Sequence, residues 1–319
     1  MNIIILGAGG IGCYFGARLL EADHQVTFVA RGDHLHALNK ESLVIEHPDF
    51  SFDNPVNATN TEQLFSDIDP EIVDVVLVTV KAMVTADIAE QCKQWINSAK
   101  KWPFFVSLQN GVDNETHLAE YLGKEKVIGG LTRRIGANIE SPGKISAIGS
   151  AETMIGCWPS SEVTDSSDSR MGFISKLEKS FNAAGIPTEQ SDDIRLQLWK
   201  KLVINNGINA LAALVHRRTG TILKDEPLSR LVMEMMQETG IAARGDGIFL
   251  SPDDISEMFD LISTFDSIKP SMLIDRERHR PLEIDEICGV VLERCEQLGV
   301  DAPYTRAIST LLTYDLNQV

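Results

Sequence analysis

In the stretch LWKKLVINNGIN, residues 198–209, Lys201, Asn205 and Asn209 recur every four residues. On a helix that spacing stacks the three polar side chains along one face, one turn above the next. The same face carries Ile194, Leu198, Ile208 and Ala212, so an ammonium and two amides sit within an apolar surface. Burying an unpaired ammonium costs several kcal/mol by order of magnitude, so Lys201 needs partners or a cleft. A structural lysine paired to a carboxylate, or one that snorkels to solvent, is the plain alternative; two further amides on the face weigh against both. Gly207 lies mid-helix, where glycine costs about 1 kcal/mol relative to alanine, which implies that something approaches closely there. A cleft lined this way suits a small ketone that also bears a carboxylate or hydroxyl. Hydride delivery to such a ketone builds negative charge on its oxygen, which a lysine stabilises while delivering the proton.

A hydride needs a carrier, and the N-terminus offers a site for one. NIIIL, GAGGIG, CYFGARLLEADH and QVTFVAR read in order as strand, glycine turn, helix and strand. Gly7, Gly9 and Gly12 satisfy G-x-G-x-x-G: the first allows the tight turn, the second lets backbone approach a pyrophosphate, the third lets the helix pack close to the sheet. Ala8, Gly10 and Ile11 complete the turn and join these glycines as candidate cofactor contacts. The helix N-terminus supplies unpaired N–H groups and partial positive charge to the phosphates. At the end of the second strand, where an NAD site expects an acid, FVARGDH places Arg31. A guanidinium suits a 2′-phosphate through forked, charge-assisted hydrogen bonds, so NADP(H) is the expected cofactor. Asp33, two residues on, could still serve a ribose.

These residues require a fold that holds them. Strand signals at 42–47, 73–81, 104–110 and 126–132 alternate in part with helical patterns such as TADIAEQCKQWINSA and NETHLAEYLG. The alternation predicts an α/β class: an N-terminal Rossmann-type, doubly wound, mostly parallel sheet covered on both faces. ANIESPGKISAIG reads as a β-hairpin appended to that sheet, and 160–169 as a polar surface loop. From about 191 strand signals vanish and helical periods dominate, at 192–215, 227–244, 252–264, 283–298 and 303–315. The expected division is 1–190, binding NADP, and 191–319, an all-α substrate and catalytic domain. Ligands of open α/β sheets bind beyond the carboxyl ends of strands, which singles out Lys81 in VTVKA and Asn110 with Gly111 in SLQNG. In the segment KPSMLIDRERHRPLEIDEICG, Ser271 starts a helix-like stretch and Glu283 begins the next; the charge run between them does not by itself name a site residue.

Bulk properties narrow the partners. A net charge of −17 over 319 residues argues against sequence-independent nucleic-acid binding and against a polybasic membrane patch. An anionic ligand must then be held by local pockets against the global field. The five cysteines have no CxxC spacing and no histidine cluster, which predicts no metal site and reduced thiols in the cytoplasm. No segment reaches the roughly 18 apolar residues of a membrane span. The expected partner is a small-molecule 2-keto acid, and assembly into a homodimer stays open.

With ILGAGGIG, VTVKA, QNG, LWKKLVINNGIN and PSMLIDRERHRPLEID in view, the chain resembles the ketopantoate reductase (2-dehydropantoate 2-reductase) family over essentially its whole length. The last two motifs are the specific ones. The resemblance implies NADPH-dependent reduction of ketopantoate to pantoate on the way to pantothenate and coenzyme A. It implies Lys201 as general acid and Asn205 and Asn209 as substrate contacts. It further implies Ser271 on the substrate carboxylate, and Glu283 as an active-site acid near Lys201 and the cofactor. Asn110 would lie between cofactor and substrate, Lys81 and Arg31 would meet the cofactor, and Ala137 would offer it a backbone contact. One position departs: some members have another substrate-contacting asparagine where this chain has Thr219. A hydroxyl could replace the amide, or the pocket could accept a different 2-keto acid. A non-catalytic NADP-binding sensor is the remaining alternative.

Overall fold

The computed structural model describes residues 1–159, 168–264 and 269–318. Positions 160–167 of the expected surface loop lie outside the described residues. The chain divides into two compact units, Met1–Gln109 with Asp113–Ile194, and Asn110–Val112 with Arg195–Val319.

The first unit opens with strand β1 (Asn2–Leu6), helix α1 (Gly10–Glu21), β2 (Gln25–Val29) and α2 (Gly32–Lys40). A hairpin of β3 (Leu43–His47) and β4 (Phe50–Asn54) follows, then β5 (Asn57–Thr59) and α3 (Thr61–Asp67). The chain continues through β6 (Val75–Val78), α4 (Thr85–Ile96), β7 (Phe104–Ser107) and α5 (Asn114–Leu122). It ends with β8 (Val127–Ser141), β9 (Lys144–Cys157), α6 (Ser169–Ala183) and β10 (Thr188–Gln190). All ten strands form one sheet, ordered β4-β3-β9-β8-β7-β6-β1-β2-β5, with β10 beside β9. The pairs from β5 through to β8 are parallel. Their order is that of a doubly wound nucleotide-binding sheet, which reverses direction between β1 and β6.

Both faces of the sheet are buried, and the residue types show why. In β1, Ile3 and Ile5 enter one apolar cluster with Phe15, Phe28 and Phe181, while Ile4 and Leu6 enter another with Ile88, Trp95 and Leu118. A strand covered on both sides reads as a continuous apolar run, as NIIIL does.

Two features go beyond the sequence signals. SLVIEH forms a strand as expected, β3, which runs parallel to β9 on the far side of the sheet, whereas the third strand of the nucleotide-binding order is β5, which the sequence did not signal. The three residues Asn57, Ala58 and Thr59 form a short polar edge strand that carries no hydrophobic alternation. The hairpin of β8 and β9 is also not an appendage. Its strands run for 15 and 14 residues, and β3, β7 and β10 all pair with it. A register shift between Arg133 and Ile135, with Arg134 at φ 52°, divides the sequence signal while the ladder continues.

The second unit is helical: α7 (Ile194–Val215), α8 (Thr219–Leu223), α9 (Glu226–Ala242), α10 (Pro252–Ser263), α11 (Ser271–Glu277), α12 (Val290–Gln297) and α13 (Pro303–Leu316). A π-helical turn, Asp285–Gly289, leads into α12 directly after Glu283 and Ile284. Buried polar groups tie these helices together. Asp246 accepts the Trp199 indole N–H at 3.2 Å and the Arg294 Nε–H at 3.1 Å, joining α7 to α12. Glu238 of α9, 6% exposed, accepts the backbone N–H groups of Tyr304 and Thr305 at 2.9 and 2.8 Å. It thereby caps the first turn of α13, whose N–H groups have no partner within the helix. Leaving two such donors unsatisfied costs about 1–3 kcal/mol each. Glu238→Ala is expected to lower Tm by about 5 °C or more, measured by thermal circular dichroism.

Candidate functional site

The glycine turn of the first unit is fixed from within. Gly7 adopts φ +113°, and a Cβ there would stand 2.6 Å from the backbone nitrogen of Val80. Thr79, one residue past β6, donates its hydroxyl to the Gly7 carbonyl at 2.7 Å. A Cβ at Gly12 would come within 2.3 Å of the Gly7 oxygen, and one at Gly10 within 2.0 Å of the Ala137 oxygen. Gly9 differs: a Cβ there would meet nothing within 4 Å. Helix packing therefore demands glycine at 10 and 12, whereas the space over Gly9 is vacant of protein atoms. That space lies at the N-terminus of α1, where the first-turn N–H groups lack intrahelical acceptors, so a nucleotide pyrophosphate fits the residues present.

Arg31 is exposed and immediately precedes α2, and among the described residues its side chain makes no hydrogen bond or ion pair. A guanidinium so placed at the end of β2 is available to a 2′-phosphate. Lys81 is half-buried and precedes a short 3-10 turn, Ala82–Val84. A buried network fixes its loop. The Gln109 amide donates to Thr85 Oγ1 at 2.7 Å and to the Val80 carbonyl at 3.0 Å, and Thr85 Oγ1 lies 2.9 Å from Asn114 Oδ1. Sequence reasoning missed Thr79, Thr85, Gln109 and Asn114. For Gln109 a signal existed, since it lies in SLQNG beside Asn110 at a strand end.

The second unit groups the other candidates in pairs. Asn209, 3% exposed, directs its amide nitrogen toward Ser271 Oγ at 3.5 Å, joining α7 to the first residue of α11. Asn110 donates its amide to Glu283 Oε2 at 3.2 Å, and Glu283 is buried at 5% exposure. Lys201 and Asn205 are half-buried on α7. Neighbouring polar residues on the same helix are structural. Lys200 pairs with Asp254 at 2.6 Å and with Glu257 at 3.4 Å. Asn206 is fully buried, and its amide meets Thr239 Oγ1 at 2.9 Å, Thr305 Oγ1 at 3.0 Å and the Met235 carbonyl at 3.3 Å. The close approach expected at Gly207 comes from α9, for a Cβ there would stand 2.5 Å from Met236 Cγ. Thr219 is buried at the start of α8. Among the described residues no cluster of histidine, cysteine and acidic groups could hold a metal, and all five cysteines are free and buried.

A doubly wound sheet with a glycine turn opening its first helix, followed by a helical unit with partnered amides, defines a nucleotide-dependent oxidoreductase architecture. The comparisons are more specific. The profile described as ketopantoate reductase PanE/ApbA matches residues 3–160, and its C-terminal counterpart matches residues 193–314. The 2-dehydropantoate 2-reductase of Pyrococcus horikoshii is 31% identical over 306 residues, covering 95% of this chain and 93% of that protein. That of Nostoc sp. is 30% identical, covering 94% and 90%. A crystal structure of 2-dehydropantoate 2-reductase from Geobacter metallireducens superposes with a TM-score of 0.84 at 29% identity, covering 99% of this chain and 100% of that one. D-mandelate dehydrogenase, with NADH and anilino(oxo)acetate, shares the fold at a TM-score of 0.87 and 22% identity. The chain belongs to the ketopantoate reductase family.

Two predictions follow from this geometry. Gly9→Ala keeps the fold and weakens NADPH binding by tenfold or more in fluorescence titration, while Gly10→Ala lowers Tm because its methyl meets Ala137. Equal Tm values for the two variants would contradict the packing. The second concerns Asp254, whose carboxyl is held at about 2, from 3.8, by Lys200 first and then by the Ser251 hydroxyl and backbone. A carboxyl depressed in the folded state adds stability above its unfolded value and loses it as pH falls through the folded one. Asp254→Asn should therefore melt below wild type at neutral pH, with the gap closing from 3.8 toward about 2 in pH-dependent melts.

Proposed function

We propose that this protein catalyses the NADPH-dependent reduction of 2-dehydropantoate to pantoate, with Lys201 as the general acid. Membership of the ketopantoate reductase family over both units supports the reaction. The observation that carries the role of Lys201 is its place on the four-residue stripe of α7 with Asn205 and Asn209, the last of which faces Ser271.

In this reading the first unit binds the cofactor. The backbone around Gly9, with Ala8, Gly10, Ile11 and the N-terminus of α1, receives the pyrophosphate, and Arg31 receives the 2′-phosphate. Gly7 and Gly12 shape the turn, while Lys81 and the Ala137 backbone complete the contacts. When bound, NADPH supplies the hydride that forms the new C–H bond at the keto carbon. As the carbonyl π pair moves onto oxygen, the Lys201 ammonium hydrogen-bonds that oxygen and transfers a proton to it, giving the 2-hydroxy acid. Ser271 and Asn209 bind and orient the substrate from one pair, and Asn205 does so from the next turn of α7. Glu283 holds the Asn110 amide in orientation as the active-site acid. Five free, buried thiols suit a reducing compartment, and the cytoplasm is the proposed location.

NADPH absorbance followed with ketopantoate, beside a panel of 2-keto acids and an NADH control, tests the reading. Rapid turnover of ketopantoate with NADPH is expected. Preference for another keto acid would transfer the assignment to that substrate, with Thr219 the first position to exchange. Lys201→Ala should lower kcat by about 10²–10⁴-fold while NADPH affinity stays near that of wild type. A fully active variant would refute the role given to Lys201.

A further inference from the structure

His34, in the first turn of α2, reaches the tip of a hairpin and the start of α1 at once. Its Nδ1 lies 3.0 Å from the backbone nitrogen of Gly143, at the tip of the β8–β9 hairpin, and accepts that N–H. A neutral imidazole accepting at Nδ1 carries its proton on Nε2. On that side stands Cys13, the fourth residue of α1, whose thiol ties the ring to the glycine turn. Cys13 Sγ lies 3.6 Å from Nε2 and donates its own proton to the Ala8 oxygen at 3.3 Å. The N–H of Ala8 is in turn held by the Val29 carbonyl at 2.8 Å. Burial lowers the pKa of His34, which keeps the ring in the neutral form this geometry needs.

The first turn of α2 has little else to hold it. Its N-cap, Arg31, provides no side-chain cap, and its Gly32 has a φ of +57°. The Arg31 side chain engages no described side chain. The 2′-phosphate and the pyrophosphate belong to one ligand molecule, so the groups that receive them must be kept at a set separation before binding. His34 bridges these parts, with Nε2 on Cys13, whose thiol holds the Ala8 carbonyl, Nδ1 on the hairpin, and its backbone three residues from Arg31.

We propose that His34 is the positioning residue that sets the preference for a 2′-phosphorylated nucleotide, by fixing the Arg31 end of α2 against the glycine turn. The inference rests on the reading of Arg31 and the glycine turn as ligands of NADPH. His34 touches neither phosphate in this account, so its effect must pass through Arg31.

The test measures dissociation constants for NADPH and NADH with wild type, His34→Ala, Arg31→Ala and the double variant, together with KM and kcat. In His34→Ala the ratio of the NADH to the NADPH constant should fall at least fivefold. KM for NADPH should rise far more than kcat falls. In the Arg31→Ala background, removing His34 should cause no further fall in the ratio, since the two side chains then act as one unit. His34→Gln, whose amide N–H can replace Nε2–H toward Cys13 Sγ, should recover more of the ratio than His34→Asn, whose shorter side chain cannot. That comparison answers the question if the alanine variant does not fold. An unchanged ratio in His34→Ala, the same proportional fall with and without Arg31, or equal ratios for the glutamine and asparagine variants would each overturn the proposal. A wild type with no preference for NADPH would overturn the Arg31 reading and this inference with it. A preference lost in Arg31→Ala but kept in His34→Ala would overturn this inference alone.

Discussion

A polar group removed from water must be met by another polar group, and α7 is organised by that requirement. Its 22 residues carry two lysines and three asparagines through an apolar helix. The Asn206 amide nitrogen meets two threonine hydroxyls and a carbonyl, so it pins α7 to α9 and α13. Lys200 is satisfied by two acids, and Trp199 reaches Asp246. With those partners in place the orientation of α7 is settled, and the face bearing Lys201, Asn205 and Asn209 has a fixed direction within its unit. Structural polar contacts on one side of the helix thus prepare the chemistry assigned to the other.

The first unit meets the same requirement with backbone in place of side chains. Its glycine turn is locked by Thr79, Val29 and Cys13, all acting on carbonyls or N–H groups. This matters in a chain of net charge −17, which repels anions at long range. Attraction for a phosphorylated cofactor must come from a helix N-terminus and from single cations such as Arg31, whose influence is short-ranged and so depends on accurate placement.

Much of this was legible in the sequence, for identifiable reasons. NIIIL followed by GAGGIG declares a doubly covered strand and a phosphate turn because both depend on local residue types. The stripe of Lys201, Asn205 and Asn209 is visible because helical periodicity is local as well. The strand β5 was not legible: three polar residues gain their extended state by pairing with β2, a contact that leaves no pattern in the chain. Nor was the difference between Asn205 and Asn206, adjacent residues of one type whose environments diverge only when α9 and α13 are packed. His34 escaped notice because its meaning depends on Gly143, more than a hundred positions away.

The π-helical turn at Asp285–Gly289 has a consequence for how this chain can change over time. Such a turn holds one more residue than an α-helical turn would, and a single residue corresponds to about 100° of helical rotation. The extra residue therefore acts as a phase shifter between the segment bearing Glu283 and the packed face of α12. Apolar substitutions in α12 can then be accommodated by its neighbours without re-aiming the carboxylate upstream. Loss of that one residue would rotate everything before it by more than a quarter of a turn. A single-codon deletion here would thus be far less tolerated than most point changes in the same helix.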